Sequence, residues 1–116
     1  MAQIELDGAD LVVRLTEVER AESVHGSIRV PRSSVRSAAI VEHPVEHISG
    51  WKLPGSRLPG VFAIGTFIDG GRRTFAVVHH GTQLGVRISL EGAAFDELLI
   101  GCDDPEAVVS MLERTP

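Results

Sequence analysis

His43 and His47 stand four residues apart with Glu46 between them, and His79 and His80 are adjacent. On one helical turn His43 and His47 would share a face, and a third imidazole could complete a zinc site. Pro44 lies inside the pair, however, and neighbouring histidines on a strand point to opposite faces. Ordinary polar residues at strand ends are the simpler reading. A His-ligated metal protein therefore ranks third among the function classes, and neither a metal nor a cofactor is expected. The single cysteine, Cys102, follows Gly101 just ahead of a helix start. That position favours thiolate, but the charges of Asp103 and Asp104 oppose it, so a small buried thiol is expected instead.

Other catalytic patterns are missing. Ser33, Ser34 and Ser37 lack a Gly-x-Ser-x-Gly elbow. The glycine-bearing segments 69–71 and 81–85 lie between strands rather than ahead of helices, so they read as turns and not as phosphate cradles. Asp103 and Asp104 are explained by helix capping, not by paired acid–base work. No enzyme is expected.

Recognition is the remaining chemistry. Residues 49–60 carry two Leu-Pro-Gly triplets, a loop that is long for a compact domain. Trp51 and Lys52 stand on it. A tryptophan beside a cation can anchor a partner protein or enter a membrane interface, or it can fold back and cover the sheet. With Arg57, Arg29, Arg32 and Arg36 these two complete the candidate binding set. The basic members could hold an anion or a phospholipid headgroup.

Charge is uneven along the chain. Residues 1–24 hold two basic against six acidic side chains, residues 25–90 eight against three, and residues 91–116 one against seven. Such blocks could form a bipolar surface for self-association or anion capture. More simply, the ends fold back over the middle and the charges neutralise one another locally. Nucleic acid is not an expected partner, because aromatics total 4% and Phe62, Phe67, Phe75 and Phe95 are spaced as core residues.

Those side chains must be carried by a single domain, residues 1–116, with 43% hydrophobic and 23% charged residues. One cysteine excludes an internal disulfide framework. No apolar run reaches the roughly 18 residues a membrane helix needs, and the N-terminus lacks an apolar signal core, so a cytoplasmic address is expected.

Period-two alternation marks most of the elements. Ile4 and Leu6, then Leu11, Val13 and Leu15, flank the turn Asp7-Gly8-Ala9-Asp10 as a hairpin. Thr16 can cap a short helix over 16–24, with Glu19 at the capping-box position. Ile28 and Val30 lead into Pro31, which favours an edge strand or a break. Residues 35–41 form a strand rich in small and β-branched residues. Residues 61–68 are apolar on both alternating sets, Asp69-Gly70-Gly71 is a hairpin turn, and residues 73–79 return. Residues 84–90 are a half-buried strand, and the successive Leu98-Leu99-Ile100 reads as a buried one. Asp104-Pro105-Glu106 then offers a cap, a proline at the first helical position and a carboxylate at the positive helix end. Val108, Val109, Met111 and Leu112 give that helix one apolar face.

Several short antiparallel strands followed by one amphipathic C-terminal helix is the element order of the pleckstrin-homology superfold. The wording is similar to small bacterial PH-like proteins. The matching pieces are Leu58-Pro-Gly-Val-Phe-Ala-Ile-Gly-Thr-Phe67, Arg73-Thr-Phe-Ala-Val-Val78, Gly85-Val-Arg-Ile-Ser-Leu90 and the helix start Asp103-Asp104-Pro105-Glu106, within roughly residues 28–113. The resemblance implies a mainly β split barrel of about seven antiparallel strands in two nearly orthogonal sheets, plugged by the C-terminal helix. It also implies a non-enzymatic binding or assembly module acting through protein–protein contacts, self-association included. Phosphoinositide-binding relatives carry basic residues in the first hairpin. Here that hairpin is acidic, so their site is not carried over.

Overall fold

A computed structural model describes residues 2–16, 28–47, 51–52, 62–79 and 82–114. The strands are β1 (Gln3–Asp7), β2 (Asp10–Arg14), β3 (Ile28–Pro31), β4 (Val35–Glu42), β5 (Trp51–Lys52), β6 (Phe62–Asp69), β7 (Arg72–His79), β8 (Leu84–Leu90) and β9 (Glu97–Gly101), and one helix follows, α1 (Pro105–Arg114). Short 3-10 turns occupy Arg32–Ser34 and Pro44–His47. The molecule is mainly β with one C-terminal helix. The helix expected over 16–24 lies outside the described residues.

Two sheets form, in the orders β1-β2-β3 and β4-β8-β9-β7-β6-β5. Glycine sets the tight turn between β6 and β7. Gly70 and Gly71 have φ of 59° and 85°, and Asp69 pairs with Arg72 across them. Positive φ at both central residues matches the turn to the right-handed strand twist.

Apolar alternation builds the core. Leu11, Val13, Ile28 and Val30 from the small sheet meet Ile64, Phe75, Val77, Val86, Ile88, Leu98 and Ile100 from the large one, with Leu112 of α1 in the same cluster. The Phe75 and Phe95 rings tilt at 46° with centroids 5.3 Å apart. Val41, Phe67, Ala76, Val78 and Leu99 form a second cluster from the alternate residues of their strands. The middle of the large sheet is therefore buried on both faces, as the unbroken apolar runs imply.

Three expectations need correction. There are nine described strands rather than about seven, and the two sheets share no strand, so they do not close into a barrel. The strands are not all antiparallel, because β9 runs parallel to β7 and antiparallel to β8. Chain order does not encode this insertion. Alternation reports which residues are buried, not which strand lies beside which. Finally, the 49–60 loop is interrupted by β5, where Trp51 pairs with Ile68 and Lys52 with Phe67.

Placing β9 between β7 and β8 demands small residues where the chain crosses its end. Gly85 and Gly101 sit opposite each other in the β8–β9 register. A Cβ on Gly85 would meet the Ile100 carbonyl oxygen at 2.8 Å and the Pro44 ring at 3.2 Å, and one on Gly101 would meet Thr82 Cγ2 at 2.8 Å.

Candidate functional site

Of the sequence-predicted binding set, the structure describes the side chains of Arg29, Arg32 and Arg36, and it brings Arg32 and Arg36 to the border of one hollow. Arg29, on β3, donates to Asp7 Oδ2 at 2.8 Å and to Asp10 Oδ2 at 2.9 Å. The hydrogen bond to Asp7, then that to Asp10, raises its pKa further above an already high value. Arg36 meets Glu91 at 2.6 Å, and Arg32 donates to the Leu112 carbonyl near the C-terminus of α1, where a cation suits the helix dipole. The side chains of Trp51 and Lys52, and the whole of Arg57, lie outside the described residues. The described arginines of the set are thus each engaged with this chain's own acceptors.

This pairing answers the question raised by the charge blocks. Arg29 reaches back to the acidic N-terminal block and Arg36 reaches forward to the acidic C-terminal one. Arg72 and Arg87 do the same at Glu97, at 3.1 and 3.5 Å. Glu97 is buried, and Thr74 Oγ1 lies 3.5 Å from its other oxygen. Local neutralisation is the dominant pattern among the described residues.

His47 is also accounted for locally. Arg87 donates to His47 Nδ1 at 3.0 Å, so Nε2 carries the proton and donates to the Glu42 carbonyl oxygen at 3.2 Å. Both ring nitrogens are committed. Among the described residues no group of three His, Cys, Asp or Glu side chains gathers closely enough to hold a metal ion. The Cys102 thiol is half-buried, and desolvation, with Asp103 and Asp104 adding to it, pushes its pKa up to about 11. Its protonated form is the stable one at neutral pH.

One feature that sequence reasoning did not single out is the rim formed by β4. It is an edge strand of eight residues, most of them exposed. Between Arg36 and Glu42 it reads Ser-Ala-Ala-Ile-Val, with no charge and no proline. Among the described residues, Ile40 and Leu84 are the exposed large hydrophobic ones, at 44% and 37%, and they stand on neighbouring strands.

The backbone direction along this rim follows from its neighbours. His43 N–H donates to Gln83 C=O, and Glu91 N–H to Ser34 C=O, so the odd-numbered residues of β8 face β4. Cys102 N–H donates to Leu84 C=O and Leu90 N–H to Asp96 C=O, so the even-numbered ones face β9. With Ser37, Ala39 and Val41 opposite residues 89, 87 and 85, their backbone groups turn inward. Those of Ala38, Ile40 and Glu42 point out of the sheet.

Two hollows flank this rim where α1 crosses it. One, of about 310 Å³, is lined by Val35, Ala38 and Leu112, with Arg32, Arg36 and Glu113 at its border. The other, of about 350 Å³, is lined by Ile40, Leu84 and Pro105, with Glu42, Asp103 and Asp104 among its neighbours. The first has a mainly basic border and the second an acidic one. The only sequence signal for this arrangement is the placing of Arg36 and Glu42 at equal distance from Ala39.

Comparison with protein-family models, with curated proteins and with solved structures gives no match. No helix among the described residues is long and apolar enough to cross a membrane.

Proposed function

We propose that this chain is a non-enzymatic, PH-like binding and assembly module that acts through protein–protein contacts and associates with itself. The observation that carries the reading is the β4 edge, long, uncharged between Arg36 and Glu42 and exposed. Sheet proteins ordinarily blunt such an edge, because unpaired N–H and C=O groups template pairing with another chain. Support for the PH-like part comes from the element order, short strands followed by one C-terminal helix resting on the large sheet. The parallel β7–β9 pair departs from that fold's antiparallel strands.

Anion or phospholipid-headgroup binding through Arg29, Arg32, Arg36, Lys52 and Arg57 is the competing reading. It has less support, because Arg29 and Arg36 already face carboxylates and Arg32 a helix carbonyl. Light scattering over a concentration series separates the two. Self-association through an apolar edge gives a mass that rises with concentration and survives high salt. A constant monomer mass, together with salt-sensitive binding to anionic vesicles, would replace it with the competing reading.

A further inference from the structure

We infer that two copies of this chain join β4 to β4 in antiparallel register about a two-fold axis at Ala39, making one continuous sheet. This deepens the self-association reading and rests on it. In that register each residue faces the one whose number, added to its own, makes 78, so Ala38 faces Ile40 of the second copy and Ser37 faces Val41. The outward-pointing groups are those of Ala38 and Ile40, so the two strands exchange N–H···O=C bonds at both of these pairs, and Ala39 faces Ala39 as the non-hydrogen-bonded pair. The ladder ends where the strand itself ends it. At one side the bulge between Val35 and Ser37 breaks the pairing, and at the other the Glu42 carbonyl accepts from His47.

Side chains and charge select this register over its neighbours. Arg36 of each copy, an exposed side chain that pairs with Glu91 within its own chain, comes beside Glu42 of the other, twice by symmetry, so that each Arg36 is flanked by two carboxylates. Ile40 comes opposite Ala38, which lines the 310 Å³ hollow, so an isoleucine left exposed in the monomer gains an apolar seat against Val35, Ala38 and Leu112. The same rotation sets the Arg32–Arg36 border of one copy against the border of Glu42, Asp103 and Asp104 of the other. A two-fold at Ile40 would instead set Arg36 against Pro44, and one at Ala38 would set Arg36 against Ile40. Neither matches the charges.

Among the described residues the other edges offer no comparable pairing. β1 carries Glu5 and Asp7, β3 is four residues long and ends in Pro31, and β5 has two residues. Charge, proline and shortness are the usual protections of an exposed edge.

The test uses the full chain with Cys102→Ser. Ala39→Cys in that background should give a disulfide-linked dimer on mild oxidation, because directly opposed non-hydrogen-bonded residues lie about 4.5 Å apart at Cα. Ser37→Cys should not, since its counterpart in the register is Val41. In a second arm, Arg36→Glu alone and Glu42→Arg alone should each weaken self-association by roughly tenfold, and an equimolar mixture of the two should restore it as a heterodimer. If the wild-type chain dimerises but Ala39→Cys does not cross-link and the mixture gains nothing, the register is wrong while self-association stands. If the wild-type chain stays monomeric at every concentration, both fail.

Discussion

β9 and β4 belong to the same sheet with only β8 between them, yet they are built on opposite principles. All five residues of β9 are buried, and its neighbours lie on both sides. β4 is longer, and most of its residues face solvent. The central strand holds the fold, because each of its apolar side chains touches one of the two clusters. The rim strand contributes little burial apart from Val35, Ala38 and Val41. Its composition is therefore open to recognition without a large cost in stability. A strand of small and β-branched residues serves either purpose. Position in the sheet decides which.

Substitution separates the two strands most sharply in the core. Leu98→Ala on β9 should destabilise the chain by about 2–5 kcal/mol in denaturant unfolding, because the residue is fully buried and the sheet around it cannot collapse into the space. Ile40→Ser on β4, measured at a concentration where the chain is monomeric, should change stability by only about 0.5 kcal/mol. Equal losses at the two sites would erase the contrast.

The crossing that creates the central position of β9 is the next most sensitive point. Gly85→Ala sets a methyl against the Ile100 carbonyl and the Pro44 ring, and should cost about 1–3 kcal/mol in thermal or chemical unfolding. Gly92→Ala offers a contrast, since a Cβ there meets nothing, although the φ of 75° is itself unfavourable for alanine. A smaller loss follows at α1, whose start is fixed by Asp104 Oδ1 accepting from Ala107 N–H at 3.2 Å. Asp104→Ala should lower stability by about 0.5–2 kcal/mol.

Cys102, just beyond β9, gives the smallest effect and a signed pH dependence. Its folded pKa is raised from 9.0 to about 11, so the unfolded chain releases the thiol proton first. Stability contributed by the protonated thiol is complete below pH 9.0 and falls as pH rises toward about 11. Cys102→Ser should flatten that alkaline decline, and alkylation of the native thiol should stay slow near neutral pH. Fast modification at pH 7 would contradict the burial argument.

Much of this architecture was legible in the residues. The Asp7-Gly8-Ala9-Asp10 and Asp69-Gly70-Gly71 turns marked their hairpins, and Asp104-Pro105 marked the helix start, because turn and cap chemistry is local. The charge blocks allowed local neutralisation, which Arg29 and Arg36 carry out. The partners of β9 were hidden, since Leu98, Leu99 and Ile100 look the same in any buried strand. β5 was hidden because Trp51 and Lys52 are too few to show a period and sit beside Pro-Gly turns. The rim was hidden for a third reason. Ser37 to Val41 read as a strand from propensity, but whether a strand lies at the edge is a property of the sheet.

Amide hydrogen exchange read residue by residue, on dilute and concentrated samples of the wild-type chain, tests the rim most directly. Ala38 and Ile40 N–H should exchange fast in dilute solution and slow markedly as the mass moves from 12.5 kDa toward twice that value, while Ala39 N–H, directed toward β8, changes little. A doubled mass with Ala38 and Ile40 still exchanging freely would show that the copies meet elsewhere, and would contradict the assignment of β4 as the assembling edge.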